Sequence, residues 1–315
     1  MSDLTADRPT GSQRLGVVIV NFNGGDCIGR CLSAVARSSC RPAATVVVDN
    51  ASTDGSPEIV ERDFPWVTVL RRTQNDGFTG GANAGLQWCL AAGHDGVALL
   101  NPDAFVEPDA IEALAAASGR HARSIIGPKL VLDDQTAVVN VAGPSISWWR
   151  GRSVGQYPVA SAAEPSGDLR VGALSGCCLL IPRLALEVLG VLDQRYFLYF
   201  EDLDFAARAQ AAGWSLWIAP AAVVRHRESS STGGRGSPVA MYYFVRNRHL
   251  FVGKFQRGRP VYVAFLLYET IDVLARTALA VACARPALAR AIWQGLVDAW
   301  RGRDGARPAP GRTAS

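Results

Sequence analysis

Several features that would point to particular classes of protein are missing from this sequence of 315 residues. It has seven cysteines, an odd number, and no Cys-x-x-Cys pair, which argues against a disulfide framework or a zinc site. No run of about 18 uncharged apolar residues occurs, so we expect no membrane-spanning helix. The polar residues 1–14 predict a disordered leader rather than a secretory signal. A cytoplasmic, reducing location fits these features.

Two phosphate-binding signatures are absent as well. No Gly-x-Gly-x-x-Gly follows the first predicted strand, which disfavours a dinucleotide-binding site, and no P-loop sequence occurs. The net charge is only +4, but residues 241–315 hold 12 Lys and Arg against 4 acids, whereas the preceding 240 residues hold 20 against 24. This basic end predicts contact with an anionic partner, a membrane surface or nucleic acid, unless it only aids solubility.

Short apolar runs alternate with helical patterns in the first part of the chain. The runs predict strands over 15–20, 45–48, 67–70 and 97–100, and the patterns predict helices over 26–37, 56–63 and 108–117. A Gly-rich turn over 75–81 opens a further helix that runs to about residue 92. This alternation predicts an α/β fold, with a mostly parallel sheet covered by helices on both faces. Ligands of such sheets bind beyond the carboxyl ends of the strands.

After residue 127 the alternation stops. We expect a mobile loop over 150–170, a buried strand over 176–181, a helix over 202–212 and strands over 214–218 and 222–225. Two further amphipathic helices are predicted over 261–276 and 287–301. Their apolar faces, with Trp and flanking Arg, suit a bilayer surface, and packing on the main domain or on a second subunit is the equal alternative.

Polar residues at the predicted strand ends are the first candidates for a site. Asp49 follows a buried strand and is typical of a group that binds a base or ribose, or of a turn cap. Asn101-Pro102-Asp103 displays a carboxylate on a stiff turn, where Mg²⁺ or Mn²⁺ is commonly held together with phosphate oxygens. His226 ends a later strand, and its imidazole suits Mn²⁺ better than Mg²⁺.

A second set of candidates lies in the middle of the chain. The aromatic run 196–200 precedes Glu201 and Asp202, and apolar surroundings raise a carboxyl pKa towards the range of a general base. The Gly-rich turn that starts at Gly77 is typical of a helix N-terminus near phosphate. Trp148 and Trp149 are interpreted as a stacking surface for an acceptor or as part of a buried hairpin.

The order of these motifs carries more information than any one of them. VIVNFN (18–23), VVDNASTDGS (47–56), NDGFTGGANAGL (75–86), LLNPDA (99–104), SGCCLLIPR (175–183) and YFLYFEDLDFAAR (196–208) occur in sequence, followed by a strand that ends at His226. Together they resemble the inverting family 2 glycosyltransferases of GT-A fold, and most of all the bacterial rhamnosyltransferases of cell-wall and polysaccharide assembly. The resemblance covers about residues 15–255.

The resemblance implies a role for each matching residue. Asp202 would be the general base, and Asp103 and His226 would bind the metal. The nucleotide-sugar side would comprise Asn21, Asp49, Asn50, Gly77, Asn83 and Asn101, where Asn101 replaces the first acid of the family's DxD motif. Glu201, Trp148 and Trp149 would lie on the acceptor side. Asp76 departs from the family pattern, because it adds negative charge near the expected phosphate side.

The same resemblance implies the organisation of the chain. A GT-A domain over 15–255 would divide into a nucleotide-binding half (15–130) and an acceptor half (131–255). An amphipathic helical tail over 256–303, which is a candidate for membrane contact, and a disordered end over 304–315 would follow.

The implied activity is a metal-dependent inverting transfer, with Mg²⁺ or Mn²⁺, of L-rhamnose from dTDP-rhamnose to an acceptor hydroxyl. We expect a glycan or polyprenyl-linked acceptor, peripheral contact with the inner face of the cell membrane, and no nucleic-acid partner. A UDP-sugar donor or a soluble natural-product acceptor is the alternative. A sugar-nucleotide pyrophosphorylase fits less well, because residues 21–26 after the first strand contain no Lys or Arg. A non-catalytic binding module would not require the acids that are present.

Overall fold

The computed structural model describes residues 14–133, 145–154, 167–227 and 236–307. The strands are β1 (Leu15–Asn21), β2 (Ala44–Asp49), β3 (Thr68–Arg71), β4 (Gly96–Leu100), β5 (Ala104–Val106), β6 (Ser124–Leu132), β7 (Ser145–Ser147), β8 (Arg152–Val154), β9 (Leu169–Val171), β10 (Cys178–Pro182) and β11 (Ser215–His226). The helices are α1 (Gly25–Ala36), α2 (Ser56–Asp63), α3 (Gly77–Ala91), α4 (Ala110–Arg120), α5 (Arg183–Leu189), α6 (Glu201–Ala211), α7 (Pro238–Gln256), α8 (Pro260–Ala282) and α9 (Pro286–Trp300).

One mixed sheet organises the described part of the chain. Its strand order is β3-β2-β1-β4-β10-β6-β11-β5, and β9 pairs with β11. The pairs β1–β2, β1–β4, β2–β3 and β6–β11 are parallel, whereas β10 runs antiparallel to both of its neighbours. Most strands therefore share one direction, which confirms the predicted mostly parallel sheet.

Alternating side chains of the strands build two apolar layers. In β1, Val17 and Ile19 belong to one buried cluster, and Val18 and Val20 belong to the other. Helices α1, α2 and α4 contribute to the first cluster, and α3, α5 and α6 contribute to the second. Because a strand places successive side chains on opposite faces, a continuous apolar run predicts a sheet with two covered faces. The structure confirms the predicted helices on both faces.

Several segments differ from the expectations. The two strands predicted over 214–218 and 222–225 form the single strand β11, which is continuous through an irregularity between Ala219 and Val223. Strand β5, strand β6 and helix α7 carry no strong apolar period and were not predicted. Of the loop predicted over 150–170, residues 155–166 lie outside the described part, and β8 and β9 occupy parts of the remainder.

The predicted helices of the tail are present as α8 and α9, and both pack against α7. The boundary expected at residues 255–256 falls within the last turn of α7, which contacts α8. Helix α8 is oriented in an unusual way. Its three charged residues, Glu269, Asp272 and Arg276, are buried or half-buried and point towards α7, where Arg248 and His249 bond the two acids.

The outer face of α8 is correspondingly apolar. Five of its large exposed side chains lie along one stripe, with exposed fractions between 52% and 68%: Val263, Leu267, Ile271, Leu274 and Val281. A surface helix normally turns its apolar stripe towards the core, so this helix is the reverse of the usual pattern. Among the residues that the structure describes, no helix is both long enough and apolar enough to cross a bilayer.

Candidate active site

A cavity of about 830 Å³ opens where the carboxyl ends of the central strands meet the first turns of α3 and α6. Its wall combines the turn after β4, the aromatic segment before α6, the end of β11, the first part of α7 and one residue of α8. Such a volume lies within the range of small-molecule binding sites. The position agrees with the rule that ligands bind beyond the carboxyl ends of parallel strands.

Strand pairing brings Asp103 and His226 together, although they are far apart in sequence. β5 pairs with β11 so that Ala104 lies opposite His226, and Arg227 N–H donates to the Asp103 carbonyl at 2.9 Å. His226 Nε2 lies 3.3 Å from Asp103 Oδ1, and both side chains line the cavity. In the described ranges no cluster of three or more acids, histidines or cysteines could hold a metal. The protein would therefore supply two ligands, and ligand oxygens or water the others.

Asn101 occupies the turn between β4 and β5. Its backbone N–H donates to the Cys177 carbonyl at 2.9 Å, which fixes the turn against the segment before β10. Its Oδ1 atom is buried and accepts no hydrogen bond from the described residues, and the residue lines the cavity. A buried acceptor without a donor is costly, so this oxygen is suited to a donor group of a ligand.

The two neighbouring carboxyl groups at the start of α6 also line the cavity. Asp202 Oδ2 accepts from Gly176 N–H at 3.0 Å, and Oδ1 accepts from Leu203 N–H at 2.7 Å. Burial raises the pKa of Asp202, and these two N–H groups oppose that rise. Burial and the charge of Asp202 raise the pKa of Glu201 to about 8. Both carboxyl groups therefore favour the protonated form more than a free acid does, and Asp202 is the one that two backbone N–H groups hold.

The segment before these acids has an unfavourable backbone conformation. Phe197, Tyr199 and Phe200 have φ values of 60°, 66° and 75°, a region that residues with a side chain rarely adopt. Asn247 of α7 holds this segment: its Nδ2 lies 2.7–2.9 Å from the carbonyls of Tyr196, Leu198 and Tyr199. Helix α7 therefore fixes the position from which the two acids enter the cavity.

Sequence reasoning missed this role of α7. Arg246 also bonds the carbonyls of Arg195 and Tyr196, and both Arg246 and Asn247 are fully buried. The available signal was the polar run 246–249 inside an otherwise apolar segment, since buried polar groups need partners and the partners are backbone carbonyls here. Lys254 lies about two turns after Asn247 in α7, and it bonds Asp204 of α6 at 2.5 Å.

The residues expected on the nucleotide side fall into two groups. Asn21 and Asp49 end neighbouring strands in register and are buried, and Asn21 Nδ2 donates to Asp49 at 3.1 Å and to Ser56 at 2.8 Å. They join two strand ends and do not line the cavity. Asn50 does line it, and its side chain bonds Gly77 O at 2.8 Å.

Gly77 lines the cavity and packs closely against the aromatic segment. Its φ is 75°, and a Cβ at this position would lie 2.3 Å from the Phe197 carbonyl oxygen, so a side chain is excluded. The neighbouring Asp76 is paired with Arg72 at 2.6 Å and bonded by Gln74. The ion pair offsets the extra negative charge that departs from the family pattern.

Three more predicted site residues, besides Asn21 and Asp49, lie outside the cavity wall. Asn83 exchanges two hydrogen bonds with the backbone of Leu192, at 2.8 and 2.9 Å, and is buried in α3, where it joins α3 to the segment before α6. Trp148 and Trp149 form the turn of the β7–β8 hairpin. Trp148 stacks on Phe251 of α7, whereas Trp149 is exposed beside Tyr268 of α8.

Comparisons with known proteins show the family of the chain. A family model described as "Glycosyltransferase like family 2" matches residues 13–238. An N-acetylglucosaminyl-diphospho-decaprenol L-rhamnosyltransferase of Mycobacterium tuberculosis is 33% identical over 266 residues, which are 75% of this chain and 85% of the relative. The dTDP-rhamnosyl transferase RfbF of Shigella flexneri is 23% identical over 247 residues, 75% of this chain and 78% of the relative.

Solved structures share the fold at lower identity. A mannosyltransferase of Pyrobaculum calidifontis in complex with GDP-Man and Mn²⁺ aligns with a TM-score of 0.60 at 17% identity, over 95% of this chain and 90% of that one. GalNAc-T7 with UDP, GalNAc and Mn²⁺ aligns with a TM-score of 0.61 at 18% identity, over 80% and 51%. Both are GT-A glycosyltransferases, and the match confirms the predicted GT-A architecture.

Proposed function

This chain belongs to glycosyltransferase family 2 and is a glycosyltransferase, and from that premise we propose that it transfers L-rhamnose from dTDP-L-rhamnose to a polyprenyl-diphosphate-linked glycan. The observation that carries the proposal is that the Asp103–His226 pair and the base candidate Asp202 line the same cavity. The names of the relatives from Mycobacterium tuberculosis and Shigella flexneri support the sugar, and the former supports the lipid-linked acceptor.

Asp202 has the properties that the transfer step requires. Its carboxylate accepts the proton of the acceptor hydroxyl while that oxygen forms a bond to the anomeric carbon. The bond from the same carbon to the diphosphate breaks on the opposite face, so the product has inverted configuration and no covalent enzyme intermediate forms. The two backbone N–H groups that bond Asp202 hold it in one orientation for this proton transfer.

The donor set fits a divalent cation. Asp103 and His226 would hold it, since a carboxylate and an imidazole 3.3 Å apart face the cavity and the imidazole favours Mn²⁺ over Mg²⁺. A bound cation supplies charge neutralisation of the leaving diphosphate. The Mn²⁺ in the two structural neighbours supports this assignment.

Thermal stabilisation by nucleotides tests the donor site. UDP, dTDP, GDP and ADP are added with and without Mn²⁺ or Mg²⁺, to the native sequence and to Asp103→Ala. A ligand at about 100 times its Kd adds roughly 2.7 kcal/mol. We expect a metal-dependent shift with dTDP that Asp103→Ala loses. A shift with UDP alone would replace the thymidine donor by a uridine one, and no shift with any nucleotide would contradict the proposed donor site.

We also propose that α8 and α9 rest on an anionic membrane surface. The outer stripe of α8 is apolar, whereas the arginines beside the two helices are exposed at 257, 259, 285, 290 and 301. Trp293 and Trp300 are exposed on α9, and Glu269 and Asp272 face inward. Apolar side chains, interfacial Trp and exposed Arg, with no exposed acid within the two helices themselves, match the chemistry of an anionic bilayer.

Cosedimentation with vesicles tests this contact. We expect binding to phosphatidylglycerol vesicles that weakens as salt rises, and little binding to pure phosphatidylcholine. The double variant Leu267→Glu/Ile271→Glu should lose at least about tenfold in affinity. The matched control is Leu184→Glu/Val188→Glu, which changes two exposed apolar residues of α5. Unchanged binding of the first variant would contradict the proposal, and a dimer that only this variant loses would assign the face to a second copy.

A further inference from the structure

Arg276 stands out among the groups that line the cavity. In the part of the chain that the structure describes, it is the only Arg or Lys in the wall, which also contains the carboxyl groups of Asp103, Glu201 and Asp202. It comes from α8, so the helix with the apolar outer stripe sends one permanent positive charge into the candidate active site. The nucleotide side, the metal pair and the base do not use this charge.

The guanidinium group is held in place but not saturated. Its Nε donates to Asp272 Oδ2 at 2.8 Å, and Arg248 bonds the same oxygen from α7 at 2.7 Å. Nη1 lies 3.9 Å from Met241 Sδ, a weak contact, and within the described residues Nη2 makes no hydrogen bond. About a third of the side chain is exposed. Asp272 therefore fixes the direction of the guanidinium while its outer N–H groups remain open to the cavity.

A phosphate group suits these open N–H groups. Guanidinium donors match phosphate oxygens in geometry and charge, and such bonds are about twice as strong as neutral ones. A lipid-linked acceptor carries its diphosphate between the sugar, which must reach Asp202, and the hydrocarbon chain, which stays in the bilayer. Arg276 and the outer stripe are on the same helix. About one helix diameter, roughly 10 Å, therefore separates the guanidinium in the cavity from the face proposed to contact the bilayer.

We propose that Arg276 binds the diphosphate of the lipid-linked acceptor and so sets how far the acceptor sugar enters the cavity. This inference rests on the proposed function, because it presupposes an acceptor with a diphosphate. Helix α8 then contacts the bilayer with one face and the acceptor with the other. In the proposed function the donor diphosphate is bound by other residues, Asp103 and His226.

Competition between two acceptors tests the proposal. GlcNAc-diphosphate-farnesol and octyl N-acetylglucosaminide carry the same sugar, and only the first carries a diphosphate. With dTDP-L-rhamnose saturating, Arg276→Gln should lower the ratio of kcat/KM between the first and the second acceptor by about 10- to 100-fold. The matched control is Arg41→Gln, an exposed arginine before β2, which should keep the native ratio. An unchanged ratio in Arg276→Gln, or a rise of the donor KM instead, would overturn the proposal.

A binding measurement separates failure of this inference from failure of the proposed function. Titration calorimetry with farnesyl diphosphate in EDTA needs no turnover and no metal. We expect Arg276→Gln to bind it about 10- to 100-fold more weakly than the native protein and Arg41→Gln to bind it equally well. Equal binding by Arg276→Gln would overturn the inference even if transfer occurs. If Arg276→Gln binds farnesyl diphosphate more weakly, but the native protein transfers rhamnose to neither acceptor, the inferred diphosphate site is supported and the proposed function is contradicted.

Discussion

The sheet region and helix α8 place their apolar and charged side chains in opposite ways. In the sheet, apolar side chains are buried between two helical layers, and polar groups gather at the strand ends around the cavity. In α8, the charged residues are buried against α7, and the apolar stripe is exposed. The first arrangement provides stability in water, whereas the second leaves apolar area exposed and therefore indicates a contact outside the chain.

This difference shows that one residue type can have different roles in the two regions. A leucine of the sheet region belongs to the core, while a leucine on the outer face of α8 serves a surface. An acid at the start of α6 belongs to the chemistry or to the scaffold according to its partners. Substitutions matched in type and placed in both regions would therefore separate stability from function.

The largest expected effect concerns the two aspartates of α6. Asp202→Asn removes the proposed base, so the transfer rate should fall by about 10²- to 10⁴-fold with nucleotide affinity nearly unchanged. Asp204→Asn should act on stability instead, because Asp204 is buried and bonds Tyr196, Arg208 and Lys254. Initial rates and thermal unfolding of both variants distinguish the two roles. Turnover at the native rate in Asp202→Asn would remove this residue from the mechanism.

The core and the outer stripe can be compared by one substitution. Leu99→Ala in β4 should cost about 2–5 kcal/mol of unfolding free energy, because Leu99 is 1% exposed. Leu267→Ala should change the free energy by less than about 0.5 kcal/mol, because Leu267 is 64% exposed. Chemical denaturation in the absence of lipid measures both. A large loss in Leu267→Ala would show that its side chain is covered in solution.

The next effect is a dependence of stability on pH. Glu201 has a pKa of about 8 in the folded protein and an ordinary value near 4.5 when unfolded. Between these values the folded state binds the extra proton, so the contribution of Glu201 to stability is complete below about pH 4.5 and is lost as pH rises through about 8. Melting temperatures from pH 5 to 8 should fall less steeply in Glu201→Gln than in the native protein. Parallel curves would contradict the raised pKa.

A further effect on stability is expected at the contact between the two regions. Asn247→Ala leaves three carbonyls of the segment before α6 without their shared donor, which should cost about 1–3 kcal/mol. The transfer rate should fall as well, since the entry of Asp202 into the cavity is no longer fixed. Denaturation and kinetics are measured on the same preparation. A rate equal to that of the native protein would show that the segment keeps its conformation without α7.

How far the sequence predicts the fold differs between the same two regions. The apolar runs of β1, β2 and β4 have a clear period, so their positions and the sheet type follow from the residues. Strand β5 has three residues and α7 mixes buried Arg, Asn and His with apolar residues, so neither has a period to detect. Their stability comes from pairing with β11 and from backbone carbonyls, which are tertiary partners.

In the candidate site, too, some residues could be found from local sequence pattern and others depend on tertiary partners. The acids at 103, 201 and 202 and the imidazole at 226 are recognisable because strand ends and helix starts display them in one cavity. Asn83 and Trp148 match the expected motifs in sequence, yet their partners, Leu192 and Phe251, could not be read from local pattern. Arg276 was visible only as part of a polar helix face. Which side that face turns to depends on α7, and no motif encodes this.

The hold of Asn247 on the segment before α6 also has a consequence for synthesis of the protein. On the ribosome the strands of the sheet emerge before α7, and domains generally begin to fold as they emerge. A nascent chain that ends before residue 247 carries both candidate metal ligands and both acids, but its strained backbone lacks the donor that holds it. We therefore expect the candidate active site to be complete only late in translation, once α7 has been made.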